Sequence, residues 1–309
     1  MSNASEYHVP AMVDEVLHYL RPERGGVYLD GTLGGGGHGE AVLRASRDGV
    51  LIGVDRDPEA LAAASQRLSG FGERFRAVRS NFADALAAAG VADGELAGAL
   101  LDLGISSHQI DVASRGFTFR EGAPLDMRME GREGRESAAE LLNELSPEDL
   151  ANIFYRYGEE RRSRRLARVL AEMRNKAPIA RSEDLVNAIH RAIPRATIQD
   201  RARIFQAVRI AVNGEMEALT QALPRLREAL EPGGVLVVLS YHSLEDRIVK
   251  NSFREWSREC ICPPGLPICR CRGEALGMTL TRKPVMPRQE EIDANPRARS
   301  ARLRAWRKR

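Results

Sequence analysis

Residues 27–39 read VYLDGTLGGGGHG, so a carboxylate, Asp30, closes a short apolar run and is followed at once by Gly31 and the glycines 34–37. A chain of this kind turns sharply at the carboxyl end of a buried strand. Glycine takes positive φ without a Cβ clash, and bare backbone lets a ligand lie close. The apolar run 50–54 ends in Asp55, roughly 20 residues beyond the glycines, the interval at which a second strand offers a carboxylate to ribose hydroxyls. A third strand candidate, 97–101, runs into Asp102 and the turn LGISS. A glycine-rich turn alone is common punctuation. Three strand candidates that each end in aspartate point to a nucleoside site.

Asp30 bears on which nucleoside. Dinucleotide loops hold a pyrophosphate with backbone amides and the positive end of a helix, and a carboxylate beside them repels that ligand. S-adenosylmethionine carries no phosphate. Its sulfonium and ammonium suit Asp30 and Asp102, which leaves Asp55 for the ribose, so charge complementarity favours this methyl donor as cofactor.

The elements that must position these groups are legible around them. Met12, Val13, Val16, Leu17 and Leu20 have helical spacing before Pro22. Asp57 and Pro58 supply an N-cap and a first-turn proline for a helix bearing Leu61, Ala64 and Leu68. Alternating strands and helices over 27–103 predict an α/β domain with a mostly parallel sheet. From Ser137 onward only helices are readable, at 137–145, 147–157, 160–175 and 182–192, with starts at Ser146-Pro147-Glu148 and Ser182-Glu183-Asp184. A helix over 203–230, a Pro-Gly-Gly break and the strand 235–239 then return the α/β rhythm, ending in Ser240, Tyr241, His242 and Ser243.

At 309 residues, with 43% hydrophobic and 29% charged residues, the composition is that of an ordinary soluble protein. No signal-like amino terminus or membrane-spanning run is read, which makes the cytoplasm the expected location. The net charge of +3 is unevenly spread: 296–309 holds seven basic and no acidic residues, and 161–168 holds five arginines. These runs suit either a polyanionic partner or a solvated face.

Several strings add up to a family likeness. DGTLGGGGH (30–38), VDRDP (54–58), LLDLGISSHQID (100–111), RGFTF (115–119), PLDMRM (124–129), YGEER (157–161), FQAVRIAVNGE (205–215), SYHSLEDRIVK (240–250) and NPRARSARLR (295–304) resemble the bacterial 16S ribosomal RNA (cytosine-N4)-methyltransferases, in order and over nearly the whole chain. The resemblance implies a Rossmann-like class I S-adenosylmethionine-dependent methyltransferase sheet with an inserted all-helical domain. It places the first part of the methyltransferase domain at 1–110 and a helical insertion for RNA recognition at 111–205. The second part, with a cysteine-containing loop and a basic C-terminal tail, occupies 206–309. It implies methyl transfer to the exocyclic N4 of one cytidine in the decoding region of 16S rRNA, with that rRNA or the small ribosomal subunit as partner. The implied cofactor contacts are Gly36, Gly37, His38, Asp55, Phe82, Asp102 and Gln109. His108, Ala123 and the stretch Gln199–Ala202 depart from the family pattern.

Acceptors for the N4 hydrogens are sought at Asp102, the LGISS carbonyls and the hydroxyls of Ser106 and Ser107, with Asp102 equally suited to a cofactor role. Arg115, Arg128 and His242 are expected around the RNA mouth. For the two arginines an internal ion pair with Asp111 or Asp126 is an equal alternative. Competing classes are a binding protein without chemistry, opposed by the intact loop and aspartates, and a nicotinamide-dependent oxidoreductase, opposed by Asp30. Cys260, Cys262, Cys269 and Cys271 form C-x-C-x6-C-x-C. A structural zinc site competes there with reduced thiols or a reversible disulfide, and the expectation carried forward is no metal.

Overall fold

The computed structural model describes residues 10–131, 135–263, 268 and 270–309, without the side chain of Ser107. The amino-terminal reading on 1–9, and Cys269, therefore lie outside the described residues. The chain forms two compact units, Met1–Gly104 with Met216–Arg309, and Ile105–Glu215. The sequence had suggested boundaries at 110/111 and 205/206.

In chain order the elements are α1 (Val13–Leu20), β1 (Val27–Asp30), α2 (Gly37–Ala45), β2 (Val50–Asp55), α3 (Pro58–Leu68), β3 (Phe75–Arg79), α4 (Ala85–Ala89) and β4 (Leu96–Asp102). The second unit follows with α5 (Ser107–Asp111), α6 (Ala138–Glu144), α7 (Pro147–Arg156), α8 (Ser163–Arg174), α9 (Ser182–Ala192) and α10 (Ile198–Asn213). The chain returns through α11 (Glu215–Ala229), β5 (Leu230–Ser240), α12 (Ser243–Trp256), β6 (Gly277–Thr279), α13 (Gln289–Ala294) and β7 (Arg302–Lys308).

The first unit is built on one seven-stranded sheet of order β3-β2-β1-β4-β5-β7-β6. Strands β1 to β5 are parallel, and β7 runs antiparallel to β5 and β6. Side chains alternate between two apolar layers, as a sheet covered on both faces requires. Tyr28, Leu100, Val235, Val237, Leu239, Leu303 and Ala305 pack with α1, α2 and α3 on one face. Leu29, Leu101, Leu236, Val238 and Trp306 pack with α4, α11 and α12 on the other. This is the Rossmann-like arrangement with one added antiparallel strand, and its strand order reverses between β1 and β4, where open α/β sheets place their sites.

Two expectations change here. The third aspartate-ended candidate, 97–101, stands fourth in chain order as β4; the intervening β3 is an edge strand with no buried residue, so it carries no apolar run to read. The helix expected at 203–230 is two helices, α10 and α11. Thr197 and Asp200 form a capping box that starts α10 earlier, and Gly214 ends it at φ 62, where a Cβ would also lie 3.1 Å from Arg135. The basic tail is the strand β7. Arg304 is buried and its guanidinium donates to both carboxylate oxygens of Asp246, at 2.6 and 3.3 Å. Trp306 is fully buried edge-on against Trp256, and its indole N–H donates to Ser257 Oγ at 3.1 Å.

The second unit is all helical, with one core formed by Leu141, Leu150, Phe154, Leu166, Leu170, Leu185, Ile189, Ile204 and Val208 among others. Ser146 caps α7 as expected, accepting from Asp149 N. Ser182 instead lies inside α9, after the N-cap Arg181, and its hydroxyl donates to Arg120 O. Among the described residues no helix is long and apolar enough to cross a membrane.

Because the carboxyl-terminal strand is core, Trp306→Ala is expected to cost about 3–5 kcal/mol in chemical denaturation. Arg307→Ala, on the exposed side of the same strand, should change stability by no more than about 0.5 kcal/mol.

Candidate active site

The segment 31–36 folds across the strand ends and is stitched to them on both sides. Gly31 N donates to Leu100 O at 2.9 Å, and Asp102 N donates to Thr32 Oγ1 at 2.6 Å. On the opposite side Leu33 N donates to Val54 O at 2.9 Å and Gly34 N to Asp55 Oδ2 at 2.8 Å. The glycines have distinct reasons to be there. A Cβ on Gly31 would lie 2.6 Å from Leu101 Cδ2, and one on Gly36 would press on Ala64 of α3 at 3.2 Å. Gly34 and Gly36 hold φ of 53 and 78. Only Thr32 O lies near a Cβ on Gly34, at 3.9 Å, so that position faces open space.

The carboxyl ends of β2, β1 and β4, adjacent in the sheet, thus present Asp55, Asp30 and Asp102. Asp30 is 2% exposed and accepts only a 3.1 Å bond from Thr32 N at Oδ1 among its described hydrogen bonds. Burial pushes its carboxyl up from 3.8 to about 7; His38 and the Thr32 amide pull down, and the charges of Asp102 and Asp55 push up further. Burial also raises Asp55, against the Asp57 and Gly34 amides that donate to its two oxygens.

Asp102 meets two side chains, of which Tyr241 holds it. The Tyr241 hydroxyl donates to its Oδ1 at 2.8 Å, and His38 Nδ1 lies 3.5 Å from its Oδ2. The other His38 nitrogen, Nε2, lies 2.8 Å from Ala11 O, which fixes Nε2 as the donor because a carbonyl only accepts. Burial, followed by the Asp102 charge, raises the Tyr241 phenol well above its ordinary value, so it stays a donor. Glu245, 1% exposed, fixes the turn bearing Tyr241 by accepting from Tyr241 N at 2.9 Å and His242 N at 3.3 Å.

Of the residues expected from the sequence, Gly36, Gly37, His38, Asp55, Phe82 and Asp102 gather at the ends of β1, β2, β3 and β4. Gly36 N donates to Leu33 O at 2.9 Å, whereas Gly37 opens α2. Phe82 packs partly buried on the layer that holds Leu29 and Leu101, beside Gly31. His242 is at the end of β5 as the N-cap of α12, with Nε2 3.0 Å from Glu245 Oε1.

Gln109, Arg115 and Arg128 belong to the helical unit. Gln109 closes a capping box with Ser106, so the Ser106 hydroxyl is engaged in accepting from Gln109 N. Arg115 donates to Met129 O at 2.9 Å, and Arg128 forks onto both oxygens of Asp126 at 2.9 and 2.8 Å. For Arg128 this is the internal pair weighed against the RNA mouth. Tyr241, Glu245 and Thr32 were not singled out as site residues. The string Y-H-S-L-E carried a signal for two of them, since Glu three residues after His242 is a capping-box spacing.

Crowded, largely buried carboxyls over an open glycine loop suit a cationic nucleoside, and the amides opening α2 suit its carboxylate. The profile of the MraW methylase family matches residues 5–309. The Ribosomal RNA small subunit methyltransferase H of Gemmatimonas aurantiaca is 54% identical over 305 residues, covering 97% of this chain and 95% of that protein. The proteins of the same name from Geobacter sulfurreducens and Heliobacterium modesticaldum are 51% and 49% identical; the former covers 96% of this chain and 97% of itself, the latter 97% of each.

A carboxyl raised to about 7 adds stability in its protonated form that is complete below about pH 4 and lost as the pH rises through about 7. Thermal melts of Asp30→Asn against the parent should therefore diverge in the variant's favour between those limits, by on the order of a few kcal/mol. A pH-independent difference would remove this account of Asp30.

Proposed function

Because the chain belongs to the MraW methylase family, a premise carried by the match over residues 5–309, we propose that it methylates the exocyclic N4 of one cytidine in the decoding region of 16S rRNA. Its coarser activity is S-adenosylmethionine-dependent methyl transfer to small-subunit ribosomal RNA, and the relatives it matches along nearly its full length are named as ribosomal RNA small subunit methyltransferases. The observation that carries the cofactor assignment is the trio Asp30, Asp55 and Asp102. Asp30 in particular is too buried and too near like charges to ionise readily unless a cation joins it.

S-adenosylmethionine, when bound, supplies a methyl group made electrophilic by the sulfonium. Asp30 and Asp102 offset the positive charge, Asp55 accepts from ribose hydroxyls, and Phe82 packs on the adenine. The Gly37 and His38 amides at the start of α2 face the amino-acid carboxylate. The Tyr241 hydroxyl keeps the Asp102 carboxylate in one orientation. Gln109 enters through the family resemblance alone.

The cytosine amine is a weak nucleophile because its lone pair is delocalised into the ring. Asp102 meets this by attracting an N4 hydrogen, which favours the tetrahedral nitrogen from which the lone pair attacks, and by taking the proton as it leaves. A base stacked in a helix is out of reach, so the cytidine is taken unpaired or flipped. For the RNA grip the favoured residues are Arg161, Arg162, Arg164, Arg165 and Arg168, all exposed around the start of α8 while Leu166, Ala167 and Leu170 are buried. Arg115 and Arg128 hold the segment 115–129, and His242 holds the Tyr241 turn; their effect on RNA is through position.

Mass mapping of 16S rRNA after incubation with the protein and methyl-labelled donor should find one new methyl on a cytidine base at N4; a label on ribose or on a ring carbon would overturn the assignment. In the same assay Asp102→Asn is expected to lower kcat by roughly two orders of magnitude.

Neutralising Arg161, Arg164 and Arg165 should weaken RNA binding and flatten its salt dependence by about one unit of slope per lost phosphate contact. Arg128→Ala should leave that slope unchanged and lower stability instead.

A further inference from the structure

Between Ser257 and Leu276 the chain leaves α12 and returns to β6 without a single buried residue among those described, and Ile261 and Ile268 are exposed. Its base is tied down. Leu276 N donates to Trp256 O at 2.9 Å, and the Arg272 guanidinium donates to the carbonyls of Glu255, Arg258 and Glu274. Above that base none of the described residues is buried, yet every cysteine of the chain falls within the segment. Segments too small to bury a core are held by disulfides or metals.

The geometry separates these two. The Sγ atoms of Cys260, Cys262 and Cys271 all lie within 4.8 Å of one another. Cys271 Sγ is 3.9 Å from Cys260 Sγ, far beyond the roughly 2.05 Å of a covalent S–S bond. Two thiolates on one tetrahedral zinc, each at about 2.3 Å, stand about 3.8 Å apart. The main chain repeats the pattern. Ile261 N, between Cys260 and Cys262, donates to Cys271 Sγ at 3.3 Å, and Arg270 N, beside Cys271, donates to Cys262 Sγ at 3.4 Å. Amides crossing from each strand of the loop to the sulfur of the other are the outer-shell donors that orient thiolate ligands.

We infer that Cys260, Cys262 and Cys271 are ligands of a structural zinc ion that staples the loop between α12 and β6. This reverses the expectation of a metal-free thiol cluster drawn from the C-x-C spacing, which is tighter than the usual knuckle. Cys269 lies outside the described residues; the three thiols are the ligands assigned here, and a tetrahedral shell takes a fourth. The cluster is separate from the strand-end carboxyls and plays no part in methyl transfer. Its effect is on the order of one loop, since the ion replaces the core that the sequence there cannot form.

The test uses the full chain, purified under reducing conditions without chelator. Elemental analysis is expected to find about one zinc per chain. Exchange into cobalt(II) should give intense thiolate-to-cobalt charge-transfer bands together with the visible bands of a tetrahedral site. Cys260→Ser and Cys271→Ser should each lose the metal and speed amide hydrogen exchange within 257–276, with exchange across β1 to β5 unchanged. Metal-free protein that stays so after reconstitution with zinc chloride would overturn the inference. So would a disulfide among these cysteines in the purified protein, or iron–sulfur absorbance. Serine variants that keep full zinc would overturn it as well.

Discussion

Three carboxyl groups at the ends of neighbouring parallel strands, drawn partly out of water and repelling one another, set the terms for the rest of the first unit. A protein interior weakens the solvation of each charge and strengthens the repulsion between them, so such a cluster persists only where the backbone gives it no escape. Here the segment 31–36 supplies that confinement. Its amides bond to β4 on one side and to β2 with Asp55 on the other, and Thr32 alone bridges Asp30 and the amide of Asp102. Burial, more than the neighbouring charges, disfavours the ionised forms of Asp30 and Asp55, and a cationic ligand favours them.

The support for this arrangement comes from far along the chain. Tyr241 reaches Asp102 from the end of β5, and its turn is held by the buried Glu245 at the start of α12. That helix is locked to the sheet by a pair between Asp246 and Arg304 and by the tilted and edge-on contacts among the rings of Phe253, Trp256 and Trp306. A strand with four basic residues among its seven is therefore part of the frame that orients Asp102. Arg304 tolerates burial because its guanidinium is paired with both oxygens of one carboxylate.

The helical unit solves a different problem. Its segment 115–129 contains no regular helix beyond one short turn, and is ordered by buried polar contacts: Asn213 bonds the main chain of Met127 and Met129, while Arg115 and Arg128 bond carbonyls and Asp126. Satisfying those groups keeps an irregular segment packed. Arg164, Arg165 and Arg168 of α8, by contrast, are exposed.

The sequence by itself determined the α/β class, the glycine loop, the strand-end positions of Asp30, Asp55 and Asp102, and the four-helix run from 138 to 192. Each of these is written in local spacing: apolar runs, capping residues and the glycines at a strand end. Long continuous strings also carried the family. Only the tertiary structure decided that β3 fills the sheet edge, that Gly214 divides two helices, that the basic terminus is an internal strand, and that Tyr241 grips Asp102. It also brought Cys260, Cys262 and Cys271 to zinc-binding separation. These are contacts between residues distant in sequence, or a strand whose burial depends on its neighbours, and spacing along a chain holds no record of which charge finds a partner across it.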